Sequence, residues 1–137
     1  MLRPETRARA RALQMLYAWE SDGRPPLPEV LLRVMRLTRP APAVQVQAAG
    51  LVTRVVEDCA ALDTAFSKAS EHWRVERLAV VDRNILRIGT AELIDRLVPP
   101  KVAIDEALWL AHRFGGPQSA GFVNGVLDAV ARSLGVL

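Results

Sequence analysis

The chain has 137 residues, half of them hydrophobic, which sets a prior of about one domain with enough apolar material for a core. Its single cysteine, Cys59, excludes an internal disulfide and a cysteine-based zinc cluster, and no apolar run approaches the ~18 residues of a membrane span. The formal charge of +3 is unevenly placed: residues 1–40 hold eight arginines against four carboxylates, whereas residues 41–137 hold ten basic against eleven acidic groups. Sixteen of the eighteen basic residues are Arg, the side chain better suited to phosphate and to stacking. The opening Met-Leu-Arg-Pro-Glu-Thr-Arg has no apolar stretch behind its charges, so no secretory signal is expected. A reducing, cytoplasmic setting without membrane contact is the expectation.

The nine prolines punctuate the chain, and the spacing between them is helical, with no alternating run that reads as a strand. Helices are predicted over 4–21, 28–38, 43–59, 62–72, 79–96, 101–114 and 118–134. Helix 4–21 buries Ala8, Ala12, Met15, Leu16 and Trp19. At 100° per residue, Arg3, Arg7, Arg11 and Gln14 gather on the opposite face, with Tyr17 beside them. Arg9 points toward the core side or its edge. Pro4 suits a first helical turn, whereas arginines there oppose the helix dipole unless an anion neutralises them. That face reads either as a solvated charge run or as a contact for nucleic acid.

Over 43–72 the stripe is Val52, Val55, Val56, Cys59 and Leu62, which makes Cys59 a small core residue. A break is expected near 60–62, with Asp63 capping the next helix. Helix 79–96 turns Val81, Ile85, Ile88 and Leu93 inward, and sets Asp82, Arg83 and Arg87 outward or along an edge. Gly89 in its middle implies the close approach of another helix. Helix 101–114 carries Ala103, Ala107, Leu110, Ala111 and Phe114, and Gly115 and Gly116 follow as a C-cap. Asp105 and Glu106 read as first-turn acids that favour the helix dipole. Helix 118–134 buries Val123, Val126, Leu127, Val130 and Leu134, with Asn124, Asp128 and Arg132 as a polar stripe. Gly121 and Gly125 need a packing or ligand reason.

Catalytic motifs are absent: no Gly-rich nucleotide loop, no Walker sequence and no nucleophile elbow. His72 and His112 have no metal-ligand spacing with each other or with Cys59. Neither catalysis, a cofactor nor a metal is expected. Phe122 stands beside the small, polar segment 115–121, where an aromatic can stack an unpaired base, although its spacing alone favours a core position.

The ordered segments Asp82-Arg-Asn-Ile-Leu-Arg-Ile, Ala91-Glu-Leu, Val98-Pro-Pro-Lys-Val-Ala-Ile-Asp-Glu-Ala, Phe114-Gly-Gly and Phe122-Val-Asn-Gly-Val-Leu-Asp form a signature. With Arg7-Ala-Arg-Ala-Arg-Ala-Leu-Gln-Met-Leu-Tyr-Ala-Trp at the front, the chain resembles the NusB family of transcription antitermination proteins over about 3–132. The resemblance implies an all-α fold of seven helices in two small bundles, the whole chain serving as one RNA-binding helical domain. It implies pairing with NusE, binding of boxA in ribosomal RNA transcripts, and a place in the RNA polymerase antitermination complex. Carried over by position, the RNA-facing residues are Arg3, Arg7, Arg9, Arg11, Tyr17, Lys101, Gln118, Ser119, Phe122 and Asn124. The partner-facing acids are Glu76 and Asp82. One departure stands out: Pro117, Gln118 and Ala120 leave neutral a loop that is often charged in the family. Two other readings fit the helical pattern. One is the NusB-like RNA-binding domain of a ribosomal RNA cytosine methyltransferase. The other is a protein-interaction module whose arginines are merely solvated. No dimer motif is legible, so a monomer and a homodimer both remain open.

Overall fold

The computed structural model describes residues 2–71 and 73–137; the reading of His72 therefore lies outside the described residues. Among these, seven α-helices and one short 3₁₀ turn account for the regular structure, and no strand is present. The all-α expectation holds. The chain divides into two compact units, the first ending at Glu57 and the second running Asp58–Leu137.

The first unit holds α1 (Pro4–Ser21), α2 (Leu27–Thr38) and α3 (Pro42–Glu57). Prolines occupy the opening turns of α1 and α2, where the missing N–H breaks no intrahelical bond. α1 packs against α3 and α2. It buries Ala8, Ala12, Met15, Leu16 and Trp19 as the periodicity predicts, and Leu13 with them. α2 adds Val30 and Val34, and α3 adds Val44, Ala48, Val52 and Val55, at spacings of three and four that form one stripe. The turn between α1 and α2 is held by an ion pair between Arg33 and Asp22 and by Arg24, whose guanidinium lies 4.7 Å from the Trp19 ring centroid.

The second unit holds α4 (Cys59–Ala69), a 3₁₀ turn (Val75–Arg77), α5 (Val80–Asp95), α6 (Pro100–Phe114) and α7 (Ser119–Ser133). α5 is its central element and packs on α4, α6 and α7. Every residue from Asn84 to Ala91 is buried, so α5 has no polar outer face over two turns. That geometry corrects the placement of Arg87 on an edge. Its side chain is 2% exposed and makes a two-pronged ion pair with Asp63 of α4, Nε to Oδ1 at 2.7 Å and Nη2 to Oδ2 at 2.8 Å. Nη1 donates to Asn84 Oδ1 at 2.9 Å, and Asn84 Nδ2 donates to the Val80 carbonyl at 2.9 Å. A buried guanidinium is tolerable only when its donors are met in this way.

Asp63 is therefore not a helix cap. The chain breaks earlier, at Asp58, and α4 begins at Cys59, which is buried as expected. Gly89 does mark a close approach: a Cβ built there would lie 2.6 Å from Leu127 Cδ1 of α7. Gly115 ends α6 in extended backbone (φ −90°, ψ −175°), so it is not required by a left-handed turn. A side chain there would meet Ser119 Cβ at 2.6 Å and the Ala111 carbonyl at 2.8 Å, so space selects the glycine. Gly121 and Gly125 lack the expected packing reason, since a Cβ at either meets nothing within 4 Å. Asp105 and Glu106 are also reassigned. α6 starts at Pro100 and carries no acid in its first turn, so neither serves the N-terminal dipole; Glu106 is buried and Asp105 exposed.

Candidate nucleic-acid interface

In the first unit, helical periodicity sorts the arginines of α1. Arg3 is the N-cap, in extended backbone (φ −68°, ψ 152°), and is exposed, as is Arg7. Arg11 is half-buried and donates to Gln14 Oε1 at 2.7 Å, which fixes its guanidinium one turn along the same face. Tyr17 is 48% exposed, so its ring is open to a flat partner. Arg3 to Arg11 spans about 12 Å along the axis at 1.5 Å per residue. Arg9 departs from the set. Two residues from Arg7 is a rotation of about 200°, which carries it among the buried alanines and leaves it 6% exposed. Its guanidinium is not presented on the solvent face.

In the second unit the predicted residues gather at the start of α7 and around it. Gln118 is the N-cap and exposed, and Asn124, two residues beyond Phe122, is exposed as well. The first turn of α7 contains no acid of its own, but the Asp82 carboxylate of α5 lies against it at Ser119. Ser119 departs from the expectation of a presented hydroxyl: it is 5% exposed. Its Oγ accepts from the Gly116 N–H at 2.9 Å and donates to Asp82 Oδ1 at 2.7 Å. A residue expected to face RNA and one expected to face a protein thus share a hydrogen bond. It ties the loop before α7 to the first turn of α5. Lys101 and Glu76 are exposed, on α6 and the 3₁₀ turn. Asp128 and Arg132 of the polar stripe pair with each other at 2.8 Å, and that hydrogen bond raises the guanidinium's pKa.

Phe122 is neither fully buried nor free. Its ring meets Trp73 edge to face, with centroids 4.9 Å apart and planes at 89°. Trp73 is 37% exposed, and sequence reasoning missed it. The available signal was an aromatic outside any helical stripe, in a short stretch between two periodic segments. Among the described residues no group of three or more His, Cys, Asp or Glu could hold a metal. No helix there is long and apolar enough to cross a membrane.

What this arrangement offers is cationic side chains on one helix, and half-exposed aromatics beside polar groups at the start of another. Side chains of the first kind can neutralise phosphate without reading sequence; those of the second kind can stack on bases and reach their edges. The NusB family model matches residues 6–132, and the chain belongs to that family. It is 48% identical over 128 residues to the transcription antitermination protein NusB of Sorangium cellulosum, covering 93% of this chain and 91% of that protein. The NusB of Solibacter usitatus is 41% identical over 129 residues, covering 93% and 88%. Among solved structures, a T. maritima NusB superposes with a TM-score of 0.85 at 33% identity, covering 96% of this chain and 93% of that one. A chain from a crystal structure of antitermination factors NusB and NusE in complex with dsRNA gives 0.87 at 28%, covering 97% and 99%.

Proposed function

We propose that this protein is a transcription antitermination factor that binds boxA RNA of ribosomal RNA transcripts together with NusE. In this reading it joins RNA polymerase in the cytoplasm and catalyses no reaction. The observation that carries the proposal is the solvent face of α1, where Arg3, Arg7 and Arg11 form a cationic row in a chain of this family. The match to a chain solved with NusE and RNA supports both partners. Curated relatives named as antitermination proteins, covered over about nine tenths of their length, favour this reading over a methyltransferase module.

Each residue group then has a task. Arg3, Arg7 and Arg11 hold phosphates. Tyr17 and Phe122 offer rings to bases, and Gln118 and Asn124 offer amides to base edges, with Lys101 as a further cation. Arg9 and Ser119 support these elements from inside. Glu76 presents its carboxylate to NusE, and Asp82 contributes through the loop that it fixes.

The test is a titration of labelled boxA RNA at several salt concentrations, with and without NusE, using the wild type and Arg7→Gln. Removing one phosphate interaction with single-stranded RNA lowers the slope of log K against log salt by about 0.7. A salt slope that drops by that amount in Arg7→Gln, and tighter binding with NusE, are expected. A wild type with no salt slope and no gain from NusE would refute the function.

A further inference from the structure

The segment between α4 and α5 has no role in the function above beyond Glu76, yet several bonds hold it in place. The Ser67 hydroxyl of α4 donates to the Trp73 carbonyl at 2.7 Å. Within the turn, the Arg77 N–H reaches the Arg74 carbonyl at 2.9 Å and the Leu78 N–H reaches that of Val75 at 3.1 Å. Arg83 of α5 then gathers the turn from below: its Nη1 lies 3.0 Å from the Leu78 carbonyl, 3.4 Å from that of Val75 and 3.5 Å from that of Glu76. Phe122 of α7 braces the Trp73 ring. Three helices thus hold one short turn.

That turn walls an open pocket of about 320 Å³, lined by Glu71, Trp73, Arg74, Arg77 and Leu78. The volume falls at the lower end of the range for small-ligand sites, roughly 300–1,000 Å³. Its contents are an indole, two guanidiniums and one carboxylate. Arg74 and Arg77 are both exposed, and no side-chain hydrogen bond or ion pair holds either one among the described residues. Unspent guanidiniums beside a braced, partly exposed indole match the two faces of a nucleotide. Phosphate takes parallel N–H donors from Arg, and a base of any identity stacks on a large π surface.

We propose that Trp73, Arg74 and Arg77 form a pocket for one unpaired nucleotide, its base against Trp73 and its phosphate between the two arginines. This rests on the reading of the protein as an RNA binder, and it extends the RNA interface beyond Phe122 to the far side of the aromatic pair. The nucleotide belongs to the bound RNA; a free nucleoside monophosphate offers the same chemistry.

The test measures the affinity of labelled single-stranded boxA RNA, with NusE present, for the full-length wild type, Trp73→Leu, Trp73→Phe and the double variant Arg74→Gln/Arg77→Gln. Trp73→Leu is expected to weaken binding roughly 5- to 150-fold, the scale of removing one base stack, and Trp73→Phe to recover most of it. The double Gln variant is expected to lower the salt slope by about 0.7, one phosphate on a single strand. Thermal denaturation checks folding, and if Trp73→Leu unfolds the chain, the exposed Arg pair decides alone. A separate arm adds adenosine monophosphate and follows tryptophan emission, with Trp73→Phe as the control. Quenching that Trp73→Phe abolishes, alongside unchanged RNA affinity in every variant, would assign the pocket to free nucleotide and overturn the RNA contact. Wild-type RNA binding with all variants equal and no quenching overturns the pocket alone. No RNA binding by the wild type removes both the pocket's role and the function on which it rests.

Discussion

Replacing Asp63 with Ala should destabilise the second unit more than replacing its partner, Arg87, with Met. The Arg87 side chain is 2% exposed, whereas Asp63 is 19% exposed. Asp63→Ala removes the two carboxylate acceptors at 2.7 and 2.8 Å from a guanidinium that is almost fully buried. The bond from Nη1 to Asn84 remains, and Asn84 is neutral. Removing one partner of a buried ion pair costs about 3–5 kcal/mol. Arg87→Met keeps an unbranched stem in the same space; it takes a donor from buried Asn84 Oδ1 and its partner from Asp63, whose carboxylate can take up water. The cost there is about 1.5–3 kcal/mol, that of losing hydrogen bonds to a charged group. Urea denaturation followed by circular dichroism at 222 nm, with equal m-values, gives both numbers. A cost for Asp63→Ala below that of Arg87→Met, or under about 1 kcal/mol, would refute the claim that this ion pair joins α4 to α5.

Two further outcomes follow from the same geometry. Gly89→Ala places a methyl against fully buried Leu127 and should cost about 1 kcal/mol net of the gain in helix propensity, whereas Gly125→Ala meets open space and should stabilise by about 0.5–1 kcal/mol. Opposite signs in thermal denaturation are expected; equal effects would undo the packing argument. Asp82→Asn and Ser119→Ala should be coupled, and a double-mutant cycle should return an interaction of at least about 0.5 kcal/mol. Additive effects would show that their hydrogen bond does not hold the loop before α7.

Sequence and structure diverge most where charge and periodicity disagree. Spacing sufficed for Met15, Leu16 and Trp19 of α1 because a helix with one solvent face writes its burial into a period of 3.6. The same rule sorted Arg7 from Arg9. It failed at Arg87 because α5 is covered all round, and in such a helix an angle no longer distinguishes inside from outside. It failed at Asp63 because an acid near a helix start serves a cap or a distant ion pair equally well, and only the partner across 24 positions decides.

The sequence by itself determined the helical class, the proline boundaries, the cationic row of α1, and a motif order specific enough to indicate the family. These are local properties: backbone preference, spacing and identity along the chain. Only the tertiary structure decided which polar groups are spent on the fold and which stay exposed. Ser119 and Asp82 lie 37 positions apart and are committed to each other, and Phe122 leans on Trp73 across 49 positions. Among the described residues, no side-chain bond holds Arg74 or Arg77 at their open pocket. Availability depends on what is near in space, and one-dimensional spacing does not carry that information.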